Sequence, residues 1–333
     1  MKAWVCKAWG PPDSLTFEDV ALPAPTGKQI LIDLRAASVN FPDVLIIEGK
    51  YQIKPPFPFT PGVEGAGVVR AVGPGVTRFK PGDRVFAAAI GIAGDRASGA
   101  FAEQMITGEL TTFHMPDSMS WEDGASFMTT YGTSHHGLFH RGHLKAGETL
   151  LVLGAGGGVG LTAVELGKMA GATVIAAAGS DEKLAVARTY GADHVINYST
   201  ESIKDRVKAI TGDRGADVIY DPVGGDAFDQ AMRCVAWEGR ILIIGFASGR
   251  IAQAATNLLL LKEASAVGVV WGPLTTRDPA RYRAGVEELV GWYGQGKLKP
   301  HVSHRFALAD APAAMKAMLD RKQTGKIVIS ASA

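Results

Sequence analysis

The run Gly154-Ala155-Gly156-Gly157-Gly158-Val159-Gly160 is the first place where residue type and spacing together suggest chemistry. It follows an apolar stretch, 148–153, and precedes a segment whose apolar residues repeat with helical spacing. A glycine turn between a buried strand and a helix lets a pyrophosphate approach the backbone. Unpaired N–H groups and the positive end of the helix then face the phosphates. The Ala155-x-Gly157-x-x-Gly160 spacing therefore predicts a dinucleotide cofactor held by Ala155, Gly156, Gly157, Gly158, Val159 and Gly160. An NAD site places an acid at the end of the second strand for the ribose hydroxyls. Here that strand ends Ala177-Ala178 and runs into Gly179-Ser180, small and uncharged, which leaves room for a 2′-phosphate and predicts NADPH. Lys183 is placed to supply charge, and Tyr198, after the third strand, to cap the phosphate. Other readings stay open: Asp181 or Glu182 folding back would restore NAD, and Lys183 and Tyr198 could be a solvated lysine and a packing aromatic. The pair His136-x-x-x-His140 would share one helix face. No acid lies between them and no third ligand suggests itself, so a packing role is expected over a metal. Cys6 and Cys234, the only cysteines, read as two buried thiols rather than a disulfide.

The elements that must position these residues change character along the chain. At 333 residues, two domains are expected. Residues 1–124 read as short strands broken by turns such as Gly73-Pro74-Gly75 and Lys80-Pro81-Gly82-Asp83, the pattern of a small β-barrel. Strands are predicted at 29–34, 65–72 and 84–87. From 125 to 271, strands at 148–153, 173–178, 194–196, 217–220, 240–244 and 266–270 alternate with helices at 159–170 and 181–190, which implies a parallel sheet. Residues 272–333, with helices at 280–293 and 311–321 and a strand at 326–329, are expected to return to the first domain. The net charge of +1, with no basic stripe, gives no field for nucleic acid or an anionic membrane. No apolar run approaches the ~20 residues of a membrane span, and Met1-Lys2-Ala3-Trp4-Val5 opens no long apolar leader. A cytoplasmic protein is expected.

Several segments together resemble the medium-chain dehydrogenase/reductase superfamily, and within it the zinc-free quinone oxidoreductase branch. They are Pro61-Gly62-Val63-Glu64-Gly65-Ala66-Gly67-Val68-Val69, Val72-Gly73-Pro74-Gly75-Val76, Phe79-Lys80-Pro81-Gly82-Asp83-Arg84-Val85, the glycine turn, and Gly191-Ala192-Asp193-His194-Val195-Ile196-Asn197-Tyr198. The resemblance covers essentially the whole chain. It implies an α/β protein in which a GroES-like β-barrel catalytic domain is split around a Rossmann doubly wound parallel sheet, with cofactor and substrate in the cleft between them. Zinc relatives carry a catalytic cysteine at the position of Asn40, a histidine at Val63 and a second cysteine at Thr129; an amide, an isopropyl group and a hydroxyl do not make a zinc site. Their structural-zinc lobe needs four cysteines, and 88–110 contains none. By resemblance, Asn40 and Asp43 sit beside the nicotinamide, Thr129 lines the site, and Thr133 lies near the carboxamide. Tyr51 lines the substrate mouth, and Gly245, Phe246, Val269, Val270 and Trp271 border the nicotinamide. Each of the first residues has a plainer alternative: Asn40 and Asp43 could bond local backbone after a strand, and Tyr51 could be a loop aromatic. Some relatives carry an arginine near the position of Trp271.

Without a metal to polarise C–O, an alcohol is a poor substrate, whereas a conjugated acceptor delocalises the incoming charge itself. NADPH-dependent reduction of a quinone is therefore the leading expectation, with Tyr51 or water as proton source. The rival is reduction of an α,β-unsaturated carbonyl or enoyl thioester, for which Arg277, Arg281 and Arg283 could form a track for CoA phosphates. A non-catalytic NADPH-binding protein is a third reading. The family habit predicts a homodimer through the last Rossmann strands.

Overall fold

The computed structural model describes residues 1–89 and 98–331; residues 90–97, inside the stretch where a structural-zinc lobe would sit, lie outside it. The chain forms two compact units, Met1–Thr129 with Gly272–Ala333, and Thr130–Trp271. It begins with strands β1 (Lys2–Val5), β2 (Thr16–Asp19) and β3 (Gln29–Val39), then helix α1 (Phe41–Ile47) and strands β4 (Glu64–Val72), β5 (Arg84–Ala88), β6 (Gln104–Gly108) and β7 (Thr112–His114). Helix α2 (Trp121–His135) carries the chain into the second unit. There β8 (Thr149–Leu153), α3 (Gly158–Met169), β9 (Thr173–Ala178), α4 (Asp181–Thr189), β10 (His194–Asn197) and α5 (Ile203–Thr211) alternate. They are followed by β11 (Ala216–Asp221), α6 (Gly225–Ala231), β12 (Val235–Ile243), α7 (Thr256–Lys262) and β13 (Ser265–Gly268). The first unit resumes with α8 (Leu274–Arg277), α9 (Pro279–Gly294), β14 (Val302–Ala307), α10 (Ala311–Leu319) and β15 (Lys326–Ser330).

In the first unit the sheet runs β14-β15-β3-β4-β5-β7, with β6 also pairing β3. β3 extends well past the predicted end at Leu34: its second half, Ala36 to Val39, pairs antiparallel with β15, whose partners Ile327 to Ser330 come from the far end of the chain, and Ala36 and Ala37 also pair with β4. That partner is invisible to any local pattern. Ile30, Ile32, Leu34, Val69, Val85, Met105, Ile327 and Ile329 fill one core. Strands β1, β2, β6, β7 and β14, and the short helices α1 and α8, are too short to show a period of their own and are not among the elements the sequence predicts.

The second unit is a six-stranded parallel sheet, β10-β9-β8-β11-β12-β13. β8 is buried at every residue, as a central strand covered on both faces must be. The order leaves β8 in opposite directions, toward β9 on one side and β11 on the other, and the crevice at the carboxyl ends of two such strands is where open α/β sheets bind ligands. The chain after β8 is the glycine turn, and the last residue of β11 is Asp221. β13 stops at Gly268 rather than Val270 and forms one edge of the sheet. After α2 the chain widens into a π-helical segment, His136–Arg141, with the Gly142 N–H reaching the Gly137 carbonyl at 2.7 Å.

Candidate functional site

The glycine turn is held closed by its own backbone. Ala155 N–H donates to Ala177 O on β9 at 3.0 Å, Gly157 N–H to Gly154 O at 3.0 Å, and Leu161 N–H to Gly157 O at 2.8 Å. A Cβ on Gly160 would overlap the Gly154 carbonyl oxygen, so only glycine lets α3 start this close to β8. A Cβ on Gly156 would lie 2.6 Å from Cβ of Lys183 and 3.0 Å from its Cδ: the lysine stem runs directly over the turn. Gly157 caps α3 without a side chain, so the first amides of α3, those of Gly158 and Val159, keep their donor direction away from the helix body. Ser134 on α2 donates to Val159 O at 2.9 Å and hydrogen-bonds the Tyr220 and Thr162 hydroxyls at 2.9 and 2.8 Å, all within this unit. Sequence reasoning missed these three residues, which fix the position of the first turn of α3.

At the end of β9, Ser180 caps α4 by accepting from Lys183 N–H at 3.4 Å. Asp181 does not fold back toward the ribose position: its carboxylate takes the Asn197 amide at 2.8 Å, and Glu182 is exposed. Gly179 lies against Tyr198, where a Cβ would come within 3.2 Å of the ring, and Tyr198 also packs on the apolar core of the unit. At the end of β11, Asp221 is buried; its Oδ1 accepts from Val223 and Gly224 N–H at 2.8 and 2.9 Å, and its carbonyl accepts from Ile244 and Gly245 N–H. Burial raises its carboxyl to about 6. The residue thus ties the Gly245-Phe246 segment to β11. Val269 is buried while Val270 is 62% exposed, so the two neighbours face opposite ways. Trp271 is buried against Gly132, where any side chain would overlap the indole, and Thr133, the next residue on α2, is half-buried.

The first unit gathers a second, buried polar cluster. Asp43 is fully buried, with one oxygen taking Asn40 N–H at 2.7 Å and the other Val63 N–H at 2.8 Å. This is the local-backbone arrangement, and it uses both oxygens. Burial raises the Asp43 carboxyl to about 7, against the lowering pull of the Asn40 N–H and Lys326. Asn40 turns its side chain elsewhere: Nδ2 donates to Glu64 Oε1 at 2.9 Å, and Oδ1 accepts from Lys326 Nζ at 2.6 Å. Glu64 Oε1 also takes the Ser38 hydroxyl at 2.7 Å and Lys326 at 3.1 Å, while Oε2 takes Thr129 N–H at 2.8 Å. Asn40, Val63 and Thr129, the three positions that the resemblance aligns with zinc ligands, thus hydrogen-bond to Asp43 or Glu64. The Thr129 hydroxyl is buried without a hydrogen-bond partner among the described residues. Tyr51 is half-buried, and burial followed by the Asp43 charge makes its hydroxyl a weaker acid than usual. Glu64 and Lys326 went unnoticed in sequence. The signals were an acid inside a run of small and apolar residues and a lysine heading an apolar strand.

His136 and His140 sit in the π-helical segment, rings 5.8 Å apart, with His136 buried and His140 exposed. The two rings remain neighbours across the wider turn, but one is buried and the other exposed. Among the described residues no group of three or more His, Cys, Asp or Glu could hold a metal. Cys6 and Cys234 are free and buried.

Known proteins place this architecture. Residues 26–117 match the family described as alcohol dehydrogenase GroES-like domain, and residues 158–290 match zinc-binding dehydrogenase. The chain is 40% identical over 344 residues to quinone oxidoreductase-like protein 2 of Rattus norvegicus, covering 98% of this chain and 96% of that one. It is 35% identical over 324 residues to a quinone oxidoreductase of Pseudomonas aeruginosa, covering 97% of each. The solved structure of Escherichia coli quinone oxidoreductase complexed with NADPH superposes with a TM-score of 0.88 at 28% identity, covering 99% of this chain and 100% of that one. On fold, glycine turn and full-length similarity together, the chain belongs to the medium-chain dehydrogenase/reductase superfamily, among its quinone oxidoreductase-like members.

Proposed function

We propose that this chain is an NADPH-dependent oxidoreductase that reduces a quinone without a metal. The observation that carries the reading is the polar cluster of the first unit: where zinc relatives hold their metal, an amide, a hydroxyl and an isopropyl group stand around a Glu64–Lys326 ion pair, and none offers a soft ligand. An acceptor that delocalises charge onto a remote oxygen needs no Lewis acid. NADPH fits the second unit: a Cβ on Gly157 would meet only the Gly154 carbonyl oxygen, at 3.5 Å, so the turn is open there, Gly160 lets α3 start against it, and Ala155 to Gly160 hold the pyrophosphate. Gly179 and Ser180 leave room for the 2′-phosphate, Lys183 and Tyr198 flank it, and Asp181 is already committed to Asn197. Thr133, Gly245, Phe246, Val269, Val270 and Trp271 border the nicotinamide. Bound there, the cofactor supplies hydride, and the protein's residues orient the acceptor and exclude water. Asn40 contacts the acceptor, Tyr51 lines its entry, and Asp43 holds the loop between them and Val63.

Quinones are favoured over enoyl thioesters by the arginines. Arg281 pairs with Asp278 at 3.0 Å and Arg283 with Glu287 at 2.6 Å, which neutralises most of a track for CoA phosphates. Among the described residues no helix is long and apolar enough to cross a membrane. A second copy of the chain is the partner for the β13 edge, beside which Leu260 and Leu261 of α7 are 79% and 69% exposed. The deciding experiment offers purified protein NADPH with quinones, enones and enoyl thioesters in parallel, beside a zinc analysis. Quinone turnover that survives chelators, with well under one zinc per chain, is expected. Turnover of enoyl thioesters alone, or stoichiometric zinc with chelator-sensitive turnover, overturns the assignment.

A further inference from the structure

Asn40 is the N-cap residue of α1, where an asparagine side chain ordinarily turns its oxygen back to an N–H of its own helix. Here Asn40 and Asp43 form a capping box, but the Asp43 N–H makes its hydrogen bond to the Asn40 backbone carbonyl, at 3.0 Å, and the asparagine side chain has stronger partners elsewhere. Its Oδ1 accepts from Lys326 Nζ at 2.6 Å and its Nδ2 donates to Glu64 Oε1 at 2.9 Å. The orientation of the amide follows from chemistry alone: an ammonium only donates and a carboxylate only accepts, so the oxygen must face Lys326 and the nitrogen Glu64. Lys326, Glu64, Asn40 and Ser38 are all buried, from strands β15, β4 and β3. The lysine is held a third time by the Val39 carbonyl at 3.1 Å. The second N–H of Asn40 has only the Ser38 carbonyl and hydroxyl, both at 3.4 Å, as partners.

We propose that Lys326 is a positioning residue that locks and polarises the Asn40 amide, so that its second N–H serves as the donor to the oxygen of the acceptor. This deepens the reading above and rests on it. When the acceptor takes hydride, two electrons and one hydrogen nucleus move to it, the nicotinamide is left oxidised, and negative charge appears on the acceptor oxygen. Water supplies the proton that completes the product. A donor aimed at that oxygen is worth more in the charged state than before it, so it speeds the chemical step rather than tightening binding. An ammonium pulling on Oδ1 makes the N–H a stronger donor, and Lys326 with Glu64 fixes which way the amide points.

The test uses Lys326→Met, which keeps the stem, and the double variant Lys326→Met/Glu64→Gln, which removes the lone buried carboxylate the single variant would leave. Two readouts are taken: steady-state kinetics with whichever acceptor the wild type turns over, and the side-chain amide resonances of Asn40 in protein labelled with ¹⁵N-asparagine. The double variant should regain the unfolding midpoint lost by the single one yet keep kcat lowered about tenfold or more, with KM and the NADPH Kd within about twofold of wild type, as loss of a transition-state donor requires. The Asn40 resonances should shift in both variants. A double variant that folds and turns over like the wild type, or unshifted Asn40 resonances, overturns the proposal. A wild type that turns over none of the acceptors fails the quinone reading instead, and the resonances alone then decide the role of Lys326.

Discussion

The contact between Lys183 and Gly156 separates two contributions to cofactor binding that a single alanine substitution would mix. Three carbons of the lysine stem, Cβ, Cγ and Cδ, lie within 3.0 Å of where a Gly156 Cβ would be, so the stem covers the turn. Lys183→Met keeps most of that stem and loses the charge. A charge-assisted contact to a 2′-phosphate is worth ~1.5–3 kcal/mol, so the NADPH Kd should rise roughly ten- to a hundredfold or more, at ~1.4 kcal/mol per decade. NADH carries no 2′-phosphate, and its Kd should stay within about twofold. Lys183→Ala also strips the cover from the turn. At ~0.8 kcal/mol per fully buried methylene, a half-buried stem is worth roughly 1 kcal/mol, about a fivefold further loss shared by both cofactors. The ratio of the two dissociation constants should therefore fall equally in both variants, while the common weakening appears only with alanine. Calorimetric titration of each variant with NADPH and NADH at one fixed ionic strength gives all the values. A wild type that prefers NADH, or a methionine variant that weakens both cofactors alike, refutes the assignment of the 2′-phosphate to Lys183.

Gly160→Ala places a methyl group on the Gly154 carbonyl, backbone against backbone, so NADPH affinity should fall at least about a hundredfold; calorimetry with a near-normal Kd would show that the turn can move aside. Asp43 gives a pH dependence. Its carboxyl titrates at about 7 in the fold against an ordinary 3.8, so its contribution is fully present below about pH 4 and is lost as pH rises through 7. Between about pH 5 and 8 the loss is roughly 2–3 kcal/mol; urea unfolding of Asp43→Asn should be flatter with pH by that amount, and an unchanged slope counts against the shift. Leu260→Glu, on the exposed face of α7, should turn the proposed dimer into a monomer in sedimentation; a monomeric wild type refutes the dimer, and a variant that still sediments as a dimer moves the interface elsewhere.

What the sequence disclosed follows the range of the interactions involved. The glycine turn, β8, β9 and the start of α4 are set by neighbours within a few residues, and their predicted limits differ from the observed ones by one residue or none. The Rossmann half was legible for that reason, since each strand, turn and helix of a βαβ unit writes its own period. The first unit was read less well. β3 owes its second half to β15, and the small residues Ala36, Ala37 and Ser38 give no strand signal without that partner. β13 was read too long because Val269 and Val270 continue the apolar run after pairing with β12 has ended.

Asn40 and Asp43 show where residue type alone stops being informative. Asn40-Phe41-Pro42-Asp43 has an N-cap residue, a proline in the first turn and an acid three residues on, the local signature of a helix start. By the resemblance the same four residues also stand beside the nicotinamide, so both readings were open from the sequence. The two side chains differ in what they bind. Asp43 spends both oxygens on backbone N–H groups, one of them from the helix start itself, and is sealed from solvent. Asn40 Oδ1 accepts from a lysine 286 residues away. A capping asparagine needs no such partner, and a buried ion pair is costly unless its remaining hydrogen bonds are satisfied. Asn40 supplies one hydrogen bond to each partner of that pair, and the pair in turn fixes which way its amide points.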